Sequence, residues 1–266
     1  MTRQKLSERI LPDYTKGEEI FNMVTHIVGG AVGITALVLC VIFAALNKNV
    51  YGVVGSAIYG ASMIILYTMS SIYHGLNPKL MAKKVFQIID HCSIFLLIAG
   101  TYTPIALSSL REYNTALGWT IFGIIWGVAI LGITLNSIDI KAFRKFSAAC
   151  YLVMGWCIVF AWGPTVKMLT SGGISLLLCG GICYTIGAIF YYLLKKKRYM
   201  HSIFHLFVLF GSVLHMFCIL LYVVLYYKTR MLMNPGFFIV KTTRFRGTRP
   251  QSLIALTGRV LIIPML

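Results

Sequence analysis

The sequence predicts an all-α polytopic membrane protein, a seven-transmembrane helix bundle with its N-terminus in the cytoplasm. Three observations predict it. Of 266 residues, 58% are hydrophobic and 12% are charged, and the mean hydropathy is +0.82; a soluble domain is about 45–50% apolar and about 25% charged. Apolar runs long enough to cross a bilayer, about 20 residues each, recur seven times. The basic residues between these runs alternate in density from one loop to the next.

Residues 1–19 are polar, with both signs of charge, and are expected to form a cytoplasmic segment. No cleavable signal peptide is expected, because the first apolar run exceeds an h-region and lacks a small-residue cleavage site. That run, 21–46, serves as its own insertion signal. Asn47-Lys48-Asn49 makes a tight hairpin turn into the second span, 51–74. The remaining spans are read at 86–107, 114–135, 146–166, 173–194 and 202–226. Gly29/Gly33 and Gly123/Gly127 have the spacing of close helix packing in lipid. The membrane domain is therefore expected over 20–227.

Basic residues set the orientation. Arg3, Lys5, Arg9 and Lys16 precede the first span. Lys79, Lys83 and Lys84, then Lys141, Arg144 and Lys145, then Lys195, Lys196, Lys197 and Arg198 occupy alternate loops on the same side. The opposite side has only Lys48, Arg111 and Lys167. Fourteen against three places the first side in the cytoplasm. The net charge of +17 follows from this topology and from anionic headgroups, so membrane lipids are the expected partners and nucleic acid is not. Residues 228–266 are basic with no acidic residue and only short apolar stretches. An all-basic tail outside the cell opposes the positive-inside trend, and this segment is expected to be a disordered or non-native appendage. The seven cysteines all fall in apolar runs without a CxxC pair, and read as packing residues.

Ionisable groups in lipid persist where they pair, ligate a metal or line a cavity. His74 closes the second span, Asp90 lies near the start of the third, and His201 and His205 open the seventh. All four fall at one membrane level, the cytoplasmic leaflet. His201 and His205, at i and i+4, share a helix face. With His74 they supply three imidazoles and leave room for water, a catalytic zinc pattern. Zinc brings its water to a pKa of about 7, and Asp90 is placed to take the proton or orient the water. Ser70, one turn before His74, is a candidate to hold a substrate carbonyl or to fix the His74 ring. His91 points about 100° from Asp90 around the helix and falls outside this set. His215 lies roughly 15 Å deeper than His205, and His26 is a candidate for a supporting role. Each piece also has a plainer reading: HxxxH arises by chance, Asp90 could cap the third helix, and Ser70 could simply pack.

Glu19-x-x-Asn22-x-x-x-His26, Ser70-x-x-x-His74, Asp90-His91-x-x-Ile94-Phe95 with Gly100-Thr101-Tyr102-Thr103-Pro104, and His201-x-x-x-His205 resemble the hemolysin III family. This is the bacterial branch of the progestin and adipoQ receptor proteins, and the wider group resembles alkaline ceramidases. The resemblance covers residues 14–227. It implies zinc on His74, His201 and His205, with Asp90 near the metal-bound water and Ser70 completing the shared pattern. It also implies haemolysis by pore formation in some members.

Three functions stay open. One is a zinc-dependent hydrolase of lipid amides or esters in the plasma membrane. The second is a pore-forming cytolysin, although no span has the polar stripe of a water channel. The third is a receptor or membrane-homeostasis factor in which zinc clamps helices two, three and seven. Neither the substrate nor the oligomeric state follows from the sequence.

Overall fold

The structure, a computed structural model, describes residues 6–193 and 197–233. Arg3, Lys5, Lys195, Lys196 and the tail beyond Met233 lie outside the described residues. Every regular element among the described residues is helical. The chain divides into two units, Met1–Lys228 and Thr229–Leu266. Five helical runs in the first are long and apolar enough to cross a membrane: Lys16–Leu46, Val50–Gly75, Met81–Tyr113, Thr115–Leu193 and Met200–Leu225.

Helix α1 (Lys16–Leu46) starts five residues before the apolar run, because Thr15 and Glu18 form a capping box. The Thr15 side chain accepts from the Glu18 N–H at 3.3 Å, and Glu18 Oε2 accepts from the Thr15 N–H at 2.8 Å. The chain then turns on Asn47-Lys48-Asn49, where Lys48 adopts φ 55°. Asn49 caps α2 (Val50–Gly75), its Oδ1 accepting from Gly52 N–H at 2.8 Å. Its Nδ2 donates to Ser108 Oγ at 2.7 Å.

Helices α1 and α2 approach closely through glycines. A Cβ on Gly29 would lie 2.3 Å from the Tyr67 ring, and one on Gly33 would lie 3.1 Å from Met63 Cβ. Gly123 and Gly127 behave otherwise: both are exposed, and a Cβ on either meets nothing within 4 Å. Their spacing is that of a packing motif, but the face that carries them points outward.

Helix α3 (Met81–Pro104) and the π-helical turn Ile105–Leu110 that follows form the most enclosed run. Pro104 lacks a backbone N–H and crowds the preceding turn, and the wider turn follows directly. A one-turn segment, α4 (Arg111–Tyr113), leads into α5 (Thr115–Trp156).

The seven separate spans expected from the sequence appear as five runs, since the fourth to sixth lie in one stretch, Thr115–Leu193. The expected loops near 136–145 and 167–172 have contracted. Asp139 (φ −159°, ψ 100°) interrupts α5, and its Oδ1 accepts from Lys141 N–H at 2.9 Å and Ala142 N–H at 3.1 Å. Ser147 Oγ donates to Asn136 Oδ1 at 2.6 Å. Eleven residues of straight helix would separate those two by roughly 16 Å, so the chain reverses at Asp139. A 3-10 turn, Cys157–Ala161, leads into α6 (Trp162–Leu193), which breaks at Thr170 (φ 60°, ψ 177°). Trp156 Nε1 donates to Thr185 Oγ1 at 3.1 Å across this second reversal. Keeping helix up to each reversal leaves few backbone groups unpaired, which lipid requires.

Helix α7 (Met200–Cys218) continues through a π-helical segment, Ile219–Leu225, and α8 (Tyr226–Met233) follows. The residue before α7, Tyr199, has φ 61° and donates its N–H to Glu18 Oε1 at 2.6 Å. The starts of α1, α3 and α7 and the end of α2 thus gather at one end of the bundle.

Gly29→Ala is expected to destabilise the bundle by about 1–3 kcal/mol through overpacking against Tyr67. Gly123→Ala, on the open face, is expected to be neutral or to stabilise by up to about 1 kcal/mol through helix propensity. Thermal unfolding of both variants in detergent checks the contrast.

Candidate metal centre

His74 sits in the last turn of α2, and His201 and His205 in the first two turns of α7. One ligand atom from each lies within 4.8 Å of the other two. The His201 and His74 Nε2 atoms are 3.4 Å apart, and those of His205 and His201 are 2.9 Å apart. Nitrogens sharing one tetrahedral zinc at about 2.0–2.1 Å stand roughly 3.3 Å from each other, so the spacing fits a common ion. His74 and His205 are buried and His201 is half-buried. These three side chains form a group able to hold a metal ion.

The His74 ring is fixed from behind. Its Nδ1 lies 2.6 Å from Glu19 Oε2. A carboxylate only accepts, so Nδ1 carries the proton and Nε2 presents its lone pair to the group. Glu19 Oε1 accepts from Lys83 Nζ at 2.7 Å, and Lys83 also donates to Leu76 O at 2.9 Å, at the C-cap of α2. Tyr14 stacks on His201, ring centroids 4.9 Å apart and planes 14° from parallel. Burial, then the neighbouring Tyr73, holds the Tyr14 phenol well above its ordinary pKa, so it packs as a neutral ring. His26 stacks on His205 at 3.8 Å and meets Tyr67 edge-on at 5.0 Å. Neither of its ring nitrogens has a hydrogen-bond partner among the described residues.

Asp90 is not one of these three ligands. Helix α3 begins at Met81 rather than near residue 86, so Asp90 lies about two and a half turns inside it and cannot cap it. The early start follows from Lys83, which is drawn into the bundle by Glu19 and Leu76 rather than left in a loop. Asp90 is outside the three-histidine group, so the group joins α2 and α7 without α3. Asp90 does line a cavity of about 610 Å³, together with His26, His91 and His201. The cavity lies among α3, α5, α6 and α7. Ile94, Ile98, Leu152 and Val208 contribute apolar wall, while Arg144 and Lys145 contribute charge.

The other candidates are placed as follows. Ser70 is buried one turn before His74, and its Oγ has no partner among the described residues. His91 Nδ1 donates to Gln87 O at 2.8 Å, and its Nε2 accepts from Tyr191 OH at 3.3 Å, so both nitrogens are engaged. His215 Nε2 donates to Leu177 O at 3.0 Å. Glu19, Lys83 and Tyr14 had no part in the chemistry read from the sequence. Lys83 counted there only as a topology charge. The signal for Glu19 was scarcity, since a chain with seven acidic residues places this one in the first turn of an apolar helix.

Residues 14–216 match the family described as haemolysin-III related. The chain belongs to that family. It is 46% identical over 207 residues to Hemolysin-3 of Bacillus cereus, covering 77% of this chain and 92% of that protein. It is 42% identical over 211 residues to the Hemolysin-3 homolog of Bacillus subtilis (strain 168), covering 79% and 97%. A more distant similarity, 24% over 194 residues, links it to the human monocyte to macrophage differentiation factor, covering 70% of this chain and 77% of that protein. With its apolar helical runs, this haemolysin-III related chain is a multi-pass membrane protein.

His74→Ala is expected to abolish cobalt(II) binding by removing one of three nitrogens. Asp90→Asn, which leaves all three nitrogens in place, is expected to retain cobalt binding. Titration of both purified variants in detergent checks this.

Proposed function

We propose that this haemolysin-III related protein is a zinc-dependent hydrolase of lipid amides or esters in the plasma membrane. The convergence of His74, His201 and His205, with His201 reaching a cavity with apolar walls that Asp90 also lines, carries the reading. A volume near 610 Å³ falls within the range of ligand pockets, about 300–1,000 Å³.

In this reading the chain crosses seven times with its N-terminus in the cytoplasm. The reversals at Asp139 and between Trp156 and Thr185 support that count. The stretches 115–138, 140–161 and 171–193 each reach the roughly 20 residues of a crossing. The excess of Lys and Arg around the N-terminus and alternate loops supports the orientation. The residues 1–19, 20–227 and 228–266 then divide into cytoplasmic segment, membrane domain and appended tail. Membrane lipids, and not nucleic acid, are the partners.

His74, His201 and His205 would hold the zinc through Nε2. Zinc there supplies Lewis acidity and makes water acidic enough to lose a proton near neutral pH. Asp90 would act as the general base toward water and return a proton to the departing amine or alcohol. Ser70, one turn before His74 and with no hydroxyl partner among the described residues, orients the carbonyl. Ile94, Ile98 and Leu152 hold the acyl chain away from water.

Two other readings each have an observation in their favour. A clamp role is favoured by the ties from Glu19 to His74 and Lys83, which join three helices without any need for turnover. A cytolytic role is favoured by the name of the Bacillus cereus relative, Hemolysin-3. Release of fatty acid from a panel of lipid amides and esters by the zinc-loaded protein separates them. Hydrolysis is expected, with Asp90→Asn slower by about 10²–10⁴-fold while still folded. Fatty acid release by Asp90→Asn at the wild-type rate overturns the role of Asp90. Silence across the panel returns the site to a clamp, and dye release from liposomes at low protein density favours cytolysis.

A further inference from the structure

We infer that Glu19 is a positioning residue for the metal group, presenting His74 to the ion while Lys83 fixes its carboxylate. The inference rests on the metal-site reading above and adds a residue to it. Glu19 Oε2 is 2.6 Å from His74 Nδ1, and Oε1 is 2.7 Å from Lys83 Nζ. The two oxygens are thus engaged on opposite sides. The His74 side chain is fully buried, that of Lys83 is 2% exposed and that of Glu19 is 15% exposed.

The physical consequence is threefold. The carboxylate selects the tautomer with the proton on Nδ1, which frees Nε2 for the group. It fixes the plane of the ring, so Nε2 points toward His201 rather than rotating into the helix end. It also makes the imidazole more electron-rich, which strengthens its bond to a cation. Lys83 keeps Glu19 from turning toward solvent. Its ammonium has two oxygen partners, Glu19 Oε1 and Leu76 O, and stands 5.1 Å from the centre of the Tyr73 ring. Among the described residues His74 is the one ligand with a carboxylate on its outer nitrogen, while His201 Nδ1 has no partner.

Carboxylates that orient a ligating histidine raise metal affinity by about 10–100-fold. The test is zinc affinity by competition with a chelator, with the cobalt(II) absorption spectrum as a second readout. Wild type, Glu19→Gln, and the double variant Glu19→Gln/Lys83→Met are compared in detergent. The double variant removes both charges together and keeps the test open if the single variant leaves Lys83 unpaired and unfolds. Zinc binding weaker by about 10–100-fold in the folded variant, with an altered cobalt spectrum, is the expected result. A folded double variant with wild-type affinity and spectrum overturns the role of Glu19 and leaves the metal site standing. Failure of wild type itself to bind zinc overturns the metal reading, and this inference with it.

Discussion

Two adjacent carboxylates at the start of α1 tie together the end of the bundle that holds the histidines. Glu18 accepts from the backbone N–H of Tyr199, which directly precedes α7. Glu19 accepts from His74 at the end of α2 and from Lys83 near the start of α3. Three helices, α2, α3 and α7, are therefore referenced to one turn of α1. Such buried ion pairs add little net stability, because desolvation offsets much of the attraction. Removing one partner is different, costing about 3–5 kcal/mol by leaving a charge unpaired. The network specifies where the helix ends sit more than how firmly they hold. The Thr15 capping box fixes the first turn of α1 itself, so the short polar segment before the first span controls the geometry of the site.

That arrangement explains how imidazoles from two distant parts of the chain stay within ligand distance of one another. His201 and His205 are set by helix periodicity alone. His74 comes from a different helix and needs an external reference, which Glu19 supplies. Tyr14 and His26 pack on the far faces of His201 and His205. The rings are held by stacking on their faces and, at His74, by a hydrogen bond at the edge. Asp90 is not one of the three grouped ligands. It reaches the cavity from α3, the most enclosed run, and shares that cavity wall with His201.

Much of this was legible in the sequence, and the remainder has physical reasons for being hidden. The helical class followed from apolar runs, and the proximity of His201 and His205 from their i, i+4 spacing. The approach of His74 followed from its position at the end of a span. Helix α1 extends five residues ahead of the apolar span at 21–46, and hydropathy does not register the capping box that starts it. Lys83 reads as a loop charge in the sequence because the pattern cannot show that a lysine is buried when its partner lies 64 residues away. Hydropathy likewise puts Asp90 nearer a helix end than it lies, because α3 already starts at Met81. Gly123 and Gly127 have the same spacing as Gly29 and Gly33, yet only the latter pair meets a neighbouring helix. Spacing alone does not say which face of a helix is partnered. The reversals at Asp139 and Thr170 were read as loops, since the sequence does not reveal that one residue suffices to turn the chain.

The central claim is that three imidazoles form a metal site in this membrane protein. Elemental analysis of the purified chain, wild type and His205→Ala in parallel, tests it most directly. About one zinc per wild-type chain, lost in a variant that remains folded, is the expected result. Well-folded wild type without metal after purification in zinc-supplemented buffer would contradict it, and would reduce the histidines to packing groups at the end of the bundle.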